Sequence, residues 1–136
     1  DEKQFQSVLE QNRGKVVLVD FWATWCEPCR ELFPHTVQWQ RRYRDQGLAV
    51  LAVSLDELDD QGSVARFLSS QGADFPCFIS QYGTNMRSFE AFEVGDGAIP
   101  FLRLYDRQGK VYKTFVGGDE QGIEAAVKEL LAQKAA

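Results

Sequence analysis

The chain has 136 residues, of which 44% are hydrophobic, and a formal net charge of -5 at pH 7. This length is typical of one domain with a full hydrophobic core, and the composition excludes a disordered chain. The acidic balance gives no sign of a nucleic-acid surface, and no apolar run approaches the ~18 residues that span a bilayer. We therefore expect a single domain over residues 1–136 that contacts neither nucleic acid nor, through this segment, a membrane.

Apolar residues in the first half of the chain alternate between helical and strand patterns. The run Val16 to Trp22 is β-branched and aromatic without alternation, which is typical of a central strand buried on both faces. Asp20 is the exception within this run. The expected elements are a helix near residues 3–12, the strand over 16–22, a helix from 26 to about 46 and a second buried strand over 48–55.

The second half adds a hairpin and a last helix. The acidic cluster at 56–60 predicts a loop, and the turn signal at 106–109 predicts that the strands on either side of it are antiparallel. We expect a short helix around 64–68, a brief strand over 75–79, a helix over 86–94, strands over 101–105 and 111–116, and a terminal helix with Asp119 as its N-cap. Together these elements predict a three-layer α/β sandwich with a mixed central β-sheet.

Cys26 and Cys29 stand where the first strand gives way to a helix. A Cys-x-x-Cys pair lets one thiolate attack a disulfide while the second cysteine resolves the mixed disulfide, and a helix N-terminus favours the thiolate of the first. Pro28 fits the first turn, where a missing N–H costs nothing. Glu27 disfavours a neighbouring thiolate, which predicts a weakly acidified thiol and a reducing couple.

Two other interpretations of the cysteine pair are a zinc site and an inert structural disulfide. Zinc usually takes four ligands, and beyond the pair only Cys77 and His35 remain. Cys77 is expected to be a buried core thiol, and His35 a residue of the helix surface. The chain has no glycine-rich phosphate loop, so we expect no metal, flavin or nucleotide cofactor.

Residues 19–29, Val-Asp-Phe-Trp-Ala-Thr-Trp-Cys-Glu-Pro-Cys, resemble the active-site segment of the thioredoxin superfamily. Pro34 falls where that family kinks its helix, Ile99–Pro100 resembles the cis-proline loop, and Gly117–Gly118 precedes the last helix as in the family. The Cys-Glu-Pro-Cys motif and an inserted strand-helix segment, roughly residues 48–94, are similar to the TlpA/ResA-like branch. The resemblance implies a thioredoxin-like three-layer α/β/α sandwich.

The same resemblance implies a function. Members of the TlpA/ResA-like branch are typically extracytoplasmic, often membrane-tethered thiol-disulfide reductases, and some serve cytochrome c maturation. We therefore expect disulfide-bearing protein substrates, an upstream dithiol electron donor, and an extracytoplasmic or periplasmic location with an anchor upstream in the full-length protein. The alternatives are a cytoplasmic thioredoxin-like reductase and a docking module whose cysteines are dispensable.

Cys29 must lose a proton before it can resolve the mixed disulfide, and a buried carboxylate with a raised pKa is a suitable base. Asp20 is the first candidate, its alternative role being that of a structural carboxylate that caps a loop. Glu57 is the second, because ResA-like proteins have a glutamate after the central strand, and Asp56 is an off-by-one alternative. Thioredoxins carry a lysine near the aspartate, where this chain has Ala52.

The expected substrate-binding residues surround Cys26. An extended substrate segment could form strand-like hydrogen bonds with the backbone at Ile99–Pro100 if that peptide bond is cis, although Pro100 also fits a simple strand-entry turn. Trp22 and Trp25 are expected to frame this groove, the alternative being that one of them belongs to the core. The motif residues Glu27 and Pro28 complete the set.

Overall fold

The computed structural model describes residues 1–95 and 97–133. Its helices are α1 (Glu2–Gln11), α2 (Glu27–Tyr43), α3 (Gln61–Gln71), α4 (Met86–Ala91) and α5 (Glu120–Ala132), with short 3-10 turns at Arg44–Gln46 and Leu58–Asp60. Its strands are β1 (Val16–Trp22), β2 (Leu48–Ser54), β3 (Cys77–Ile79), β4 (Phe101–Tyr105) and β5 (Val111–Val116).

Within the described ranges the strands form one mixed sheet in the order β3-β2-β1-β4-β5. The three strands β1, β2 and β3 are parallel, whereas β4 is antiparallel to both β1 and β5. Every residue of β1 is buried, as expected for a central strand. The mixed sheet and the antiparallel hairpin predicted from the sequence are therefore confirmed.

Helices cover both faces of this sheet. Side chains of α2, α3 and α5 pack on one face, together with Leu18 and Trp22 of β1. Side chains of α1 and α4 pack on the other face, together with Val19 and Phe21. The expected three layers are confirmed. Since side chains alternate along a strand, Asp20 lies on the same face as Leu18 and Trp22, below α2.

Several elements are shorter than the sequence predicts. The α2 helix ends at Tyr43, where a 3-10 turn continues to Gln46, and β2 ends at Ser54. β3 begins at Cys77 instead of Phe75, because Pro76 has no N–H to donate to the strand ladder. The helix predicted over 86–94 ends at Ala91, since Glu93 has a left-handed backbone with φ of 56° that cannot continue a helix. The acidic segment predicted as a loop contains the 3-10 turn Leu58–Asp60.

The turn after α4 is fastened to the sheet by Arg103 of β4. The buried Arg103 guanidinium donates to the carbonyl oxygens of Phe92 and Glu93 at 2.9 and 2.5 Å. It also lies over the rings of Phe21 and Phe101, 5.3 and 5.4 Å from their centroids. These contacts fix the start of the segment that leads from α4 to Pro100 and β4.

Candidate active site

Cys26 is the N-cap residue of α2, immediately after the turn that follows β1. Its Sγ accepts a hydrogen bond from the backbone N–H of Cys29 at 3.3 Å, and the two cysteines form a disulfide. Both cysteines are buried, Cys29 almost completely, whereas Glu27 and Pro28 between them are exposed. The helix N-terminus therefore directs backbone N–H groups toward the sulfur of Cys26, which favours its thiolate after reduction.

Ile99 and Pro100 lie beside the disulfide, as the sequence predicts. The Ile99 carbonyl oxygen is 3.7 Å from Sγ of Cys26, and the Ile99–Pro100 peptide bond is cis. The carbonyl of Pro100 accepts a hydrogen bond from the N–H of Gly117 at 2.8 Å. Trp25, next to Cys26, is 58% exposed. Trp22 is fully buried in the core and does not frame the groove, so of the two tryptophans only Trp25 is exposed next to the disulfide.

Asp20 is fully buried on the face of the sheet that α2 covers. Its Oδ2 accepts a hydrogen bond from Oγ1 of Thr36 at 3.1 Å, and its Oδ1 has no partner among the described residues. Burial raises the pKa of Asp20 to about 7, against the opposing effect of the Thr36 hydrogen bond. Ala52 lies opposite Asp20 on β2, in the place of the lysine that thioredoxins carry. Asp20 lies within β1 and binds a helix residue through one carboxylate oxygen, so it does not have the position of a carboxylate that caps a loop.

Thr36 is a site neighbour that the sequence analysis missed. It follows Cys29 by seven residues, close to two turns of α2, so both side chains lie on the same face of the helix. Both residues are buried. The signal was available in this spacing, because a polar residue on the buried face of a helix needs a partner in the layer below.

Cys77 and Asp20 lie on the same face of the sheet, the one that α2 covers. In the strand register Asp20 pairs with Ala52, and Ala52 pairs with Cys77. The Cys77 thiol donates to the carbonyl of Phe75 at 3.2 Å and packs against the apolar cluster around the disulfide, but it is only partly buried, not fully buried as expected. Burial, and then the charge of Asp20, raise the pKa of Cys77 to about 11.

The two acidic residues after β2 lie in different surroundings. Glu57 is exposed, and its Oε1 accepts a hydrogen bond from the N–H of Thr84 at 2.9 Å. Asp56 is fully buried, and its carboxylate accepts from the N–H of Thr24 at 3.1 Å, from Oγ1 of Thr24 at 2.5 Å and from Oγ of Ser54 at 2.5 Å. Asp56, rather than Glu57, therefore contacts the turn that carries the dithiol.

His35 lies apart from the cysteine pair and, among the described residues, belongs to no metal-binding group. His35 lies on α2 with its Nε2 atom 3.2 Å from Oε2 of Glu120, at a partly exposed position. Over residues 1–95 and 97–133, no group of three or more His, Cys, Asp or Glu side chains is arranged to hold a metal ion. In the same ranges, no helix is both long enough and apolar enough to cross a membrane.

Replacing Asp20 by asparagine should change how stability depends on pH. Because the folded-state pKa of about 7 lies above the ordinary value of 3.8, the native disulfide form binds this proton more tightly than the unfolded chain. The contribution of Asp20 to the free energy of unfolding should therefore fall as pH rises from about 4 to about 7 and change little above. Three pKa units correspond to about 4 kcal/mol as an upper bound.

Asp20→Asn should accordingly gain stability over the wild type as pH rises, with the larger advantage at pH 8 than at pH 4. Urea unfolding at both values measures it. Asp59→Asn is the matched control, because Asp59 is exposed. An advantage of Asp20→Asn that is the same at both pH values would contradict the raised pKa.

Amide substitutions should also separate the two acidic neighbours of β2. Asp56→Asn replaces an acceptor oxygen by an NH2 group facing the N–H of Thr24, so it should cost about 2 kcal/mol and speed hydrogen exchange of the Thr24 amide. Glu57→Gln keeps an acceptor for Thr84 at an exposed position and should cost less than about 0.5 kcal/mol. Equal losses in urea unfolding would show that Asp56 does not hold the turn.

Known proteins resemble this chain over most of its length. The model of the Redoxin family matches residues 2–132. The chain is 32% identical over 109 residues to thiol-disulfide oxidoreductase ResA of Bacillus subtilis, a match that covers 80% of this chain and 57% of that protein. It is 33% identical over 127 residues to protein DipZ of Mycobacterium bovis, which covers 90% of this chain and 18% of DipZ. The chain thus spans little more than half the length of the first of these relatives.

Solved structures show the same likeness. A crystal structure from Chlorobium tepidum, described as thiol:disulfide interchange protein DsbE, superimposes with a TM-score of 0.78 at 33% identity, covering 91% of this chain and 85% of that one. The thioredoxin-like superfamily protein SPOA0173 gives a TM-score of 0.79 at 24% identity and shares the fold, over 94% of this chain and 87% of that one. The chain therefore belongs to the Redoxin family, as a TlpA/ResA-like member of the thioredoxin superfamily.

Proposed function

We propose that this chain is a thiol-disulfide reductase that acts on protein disulfides. The observation that carries the proposal is the Cys26–Cys29 disulfide at the N-terminus of α2, with the Ile99 carbonyl 3.7 Å from Sγ of Cys26. Similarity to ResA and to DsbE, named as a thiol-disulfide oxidoreductase and a thiol:disulfide interchange protein, supports the same reaction.

In the proposed reaction the reduced enzyme attacks first through Cys26. The Cys26 thiolate forms a bond to one sulfur of the substrate disulfide, and the other substrate sulfur leaves as a thiolate that takes up a proton. Cys29 then loses its proton and attacks Sγ of Cys26, which releases the second substrate sulfur. The substrate gains two electrons and two protons, and the enzyme is left with its Cys26–Cys29 disulfide. An upstream dithiol partner returns the enzyme to the reduced state.

Asp20 is the proposed acceptor for the Cys29 proton. Its pKa of about 7 suits a base that works near neutral pH, and no cation on β2 holds it ionised, since Ala52 is its neighbour there. Thr36, its hydrogen-bond partner, lies on the same face of α2 as Cys29. Glu57 remains the second candidate, but its hydrogen bond with Thr84 at an exposed position favours Asp20.

Substrate binding is assigned to the residues around the disulfide. The Ile99 carbonyl, 3.7 Å from Sγ of Cys26, lies where an extended substrate segment can form strand-like hydrogen bonds with the Ile99–Pro100 segment. The exposed side chains of Trp25, Glu27 and Pro28 provide the remaining contacts. Glu27 also disfavours the Cys26 thiolate, which supports reduction rather than oxidation of the substrate.

The compartment and the physiological partners follow from the family resemblance. The ResA-like branch implies an extracytoplasmic or periplasmic location, an anchor upstream in the full-length protein and disulfide-bearing substrates, with cytochrome c maturation as one pathway that such a reductase serves. The branch equally implies an upstream dithiol donor. No part of the mechanism calls for a cofactor.

Three cysteine variants test the proposed reaction. With dithiothreitol as donor and insulin as the probe, Cys26→Ser should lower the reduction rate at least a hundredfold, because serine cannot form the mixed disulfide. Cys29→Ser should accumulate a covalent enzyme–insulin adduct that is visible on a non-reducing gel. Cys77→Ser is the control and should keep the wild-type rate. Insulin reduction that survives Cys26→Ser would overturn the proposal.

The proton acceptor is tested by the rate of resolution. After a single mixed disulfide forms, release of the substrate thiol by wild-type enzyme should quicken as pH rises through 7 and level off at higher pH, because Asp20 is half ionised at about pH 7. Asp20→Asn should be at least tenfold slower at pH 7, in line with the loss of a general base. Stopped-flow absorbance of a released chromogenic thiol measures this rate of resolution, and the same measurement on Glu57→Gln provides the comparison. If only Glu57→Gln slows release, Glu57 is the base.

A further inference from the structure

Three large apolar side chains are exposed at the end of the sheet that carries the disulfide. Trp25 and Met86 are each 58% exposed, and Leu58 is 41% exposed. They come from three separate segments, which follow β1, β3 and β2 respectively. Because these strands are parallel, their carboxyl ends meet at one edge of the sheet.

Hydrogen bonds tie the three segments together. The N–H and Oγ1 of Thr24, next to Trp25, donate to the carboxylate of Asp56. One residue further, Glu57 accepts from the N–H of Thr84, while Oγ1 of Thr84 donates to the carbonyl of Leu55. Trp25 and Leu58 are therefore one residue, and Met86 two residues, from a continuous chain of contacts that starts at the dithiol turn.

The charges around these side chains are mainly negative. Glu57, Asp59 and Asp60 flank Leu58 and are all exposed. Two exposed cations, Arg30 over the ring of Phe67 at 5.9 Å and Arg87 over that of Tyr82 at 4.7 Å, lie outside this acidic group, which is therefore centred on Leu58. A partner that covers the apolar side chains would meet an acidic rim.

We propose that Trp25, Leu58 and Met86 form an apolar docking surface for the disulfide-bearing protein substrate. This surface extends away from Pro100, toward β2 and β3. It selects substrates in which an apolar side chain, accompanied by lysine or arginine, lies a few residues from the reacting cysteine. The inference rests on the proposed function, and its support is the position of the three side chains at the sheet edge that carries Cys26, together with the exposed carboxylates around Leu58. A second copy of this chain is a poor occupant, because it would bring two acidic rims together.

Peptide substrates with one internal disulfide test the selection. Two synthetic peptides share the disulfide loop, and the residues after the second cysteine are Leu-Lys-Phe-Lys in one and Ser-Glu-Ser-Glu in the other. The wild type should have at least a tenfold higher kcat/KM for the first peptide, mainly through KM, and the preference should shrink at high salt.

Glutamine variants test the named side chains. Leu58→Gln and Met86→Gln should each lower kcat/KM for the apolar, basic peptide about fivefold to tenfold, because a polar side chain gains less from being covered. Val111→Gln is the matched control. Val111 lies on β5, and its exposed fraction of 56% is similar to that of Met86. All variants should reduce dithiobis(nitrobenzoate), a small aromatic disulfide, at the wild-type rate, because it does not reach beyond Cys26.

The outcomes separate this inference from the proposed function. The docking surface is overturned if Leu58→Gln and Met86→Gln lose no more than Val111→Gln, or if the wild type prefers the acidic peptide. If the wild type reduces neither peptide nor dithiobis(nitrobenzoate), the proposed function fails. In that case backbone amide NMR shifts with a Ser-for-Cys version of the basic peptide decide: shifts confined to the segments around Trp25, Leu58 and Met86 retain the surface, and their absence overturns it.

Discussion

The complete burial of β1 between two helical layers is the constraint on which the rest of the molecule depends. All seven of its residues are buried, and it pairs on both sides, with β2 and with β4. A strand enclosed in this way has a fixed direction and a fixed end. The turn after Trp22 and the first residue of α2 therefore have little freedom, so the sulfur of Cys26 is positioned by the interior of the protein and not by a flexible loop.

The same enclosure explains the chemistry assigned to Asp20. The carboxylate of Asp20 is shielded from solvent in the middle of a buried strand, it accepts one hydrogen bond, from Thr36, and its neighbour on β2 is the uncharged Ala52. Desolvation therefore dominates its proton affinity. The energy that the folded state loses when this group ionises is the same energy that makes it a base near neutral pH. The stability of the fold and the proposed catalysis therefore both depend on the ionisation of the Asp20 carboxylate.

Most of the fold was predictable from the sequence, because its signals are local. The uninterrupted apolar run at 16–22, the helical spacing after Cys26 and the turn at 106–109 each depend on neighbouring residues, and all three predictions are confirmed. What could not be predicted depends on contacts between distant segments. The guanidinium of Arg103, ten residues beyond Glu93, binds the turn at which α4 ends early. Asp56, which follows β2, accepts a hydrogen bond from Thr24, which follows the neighbouring β1. The Cys26–Ile99 contact was expected only by family resemblance, since spacing alone does not join residues so far apart.

The partly buried Cys77 has a consequence for the fidelity of disulfide exchange. With a pKa of about 11, its thiol is ionised in only about one molecule in ten thousand at pH 7. Only the thiolate exchanges with disulfides, so the thiol of Cys77 reacts very slowly. It does so although it packs against the same apolar cluster as Cys26 and Cys29. The protein can therefore carry an additional cysteine close to its reactive pair with little risk of scrambled disulfides.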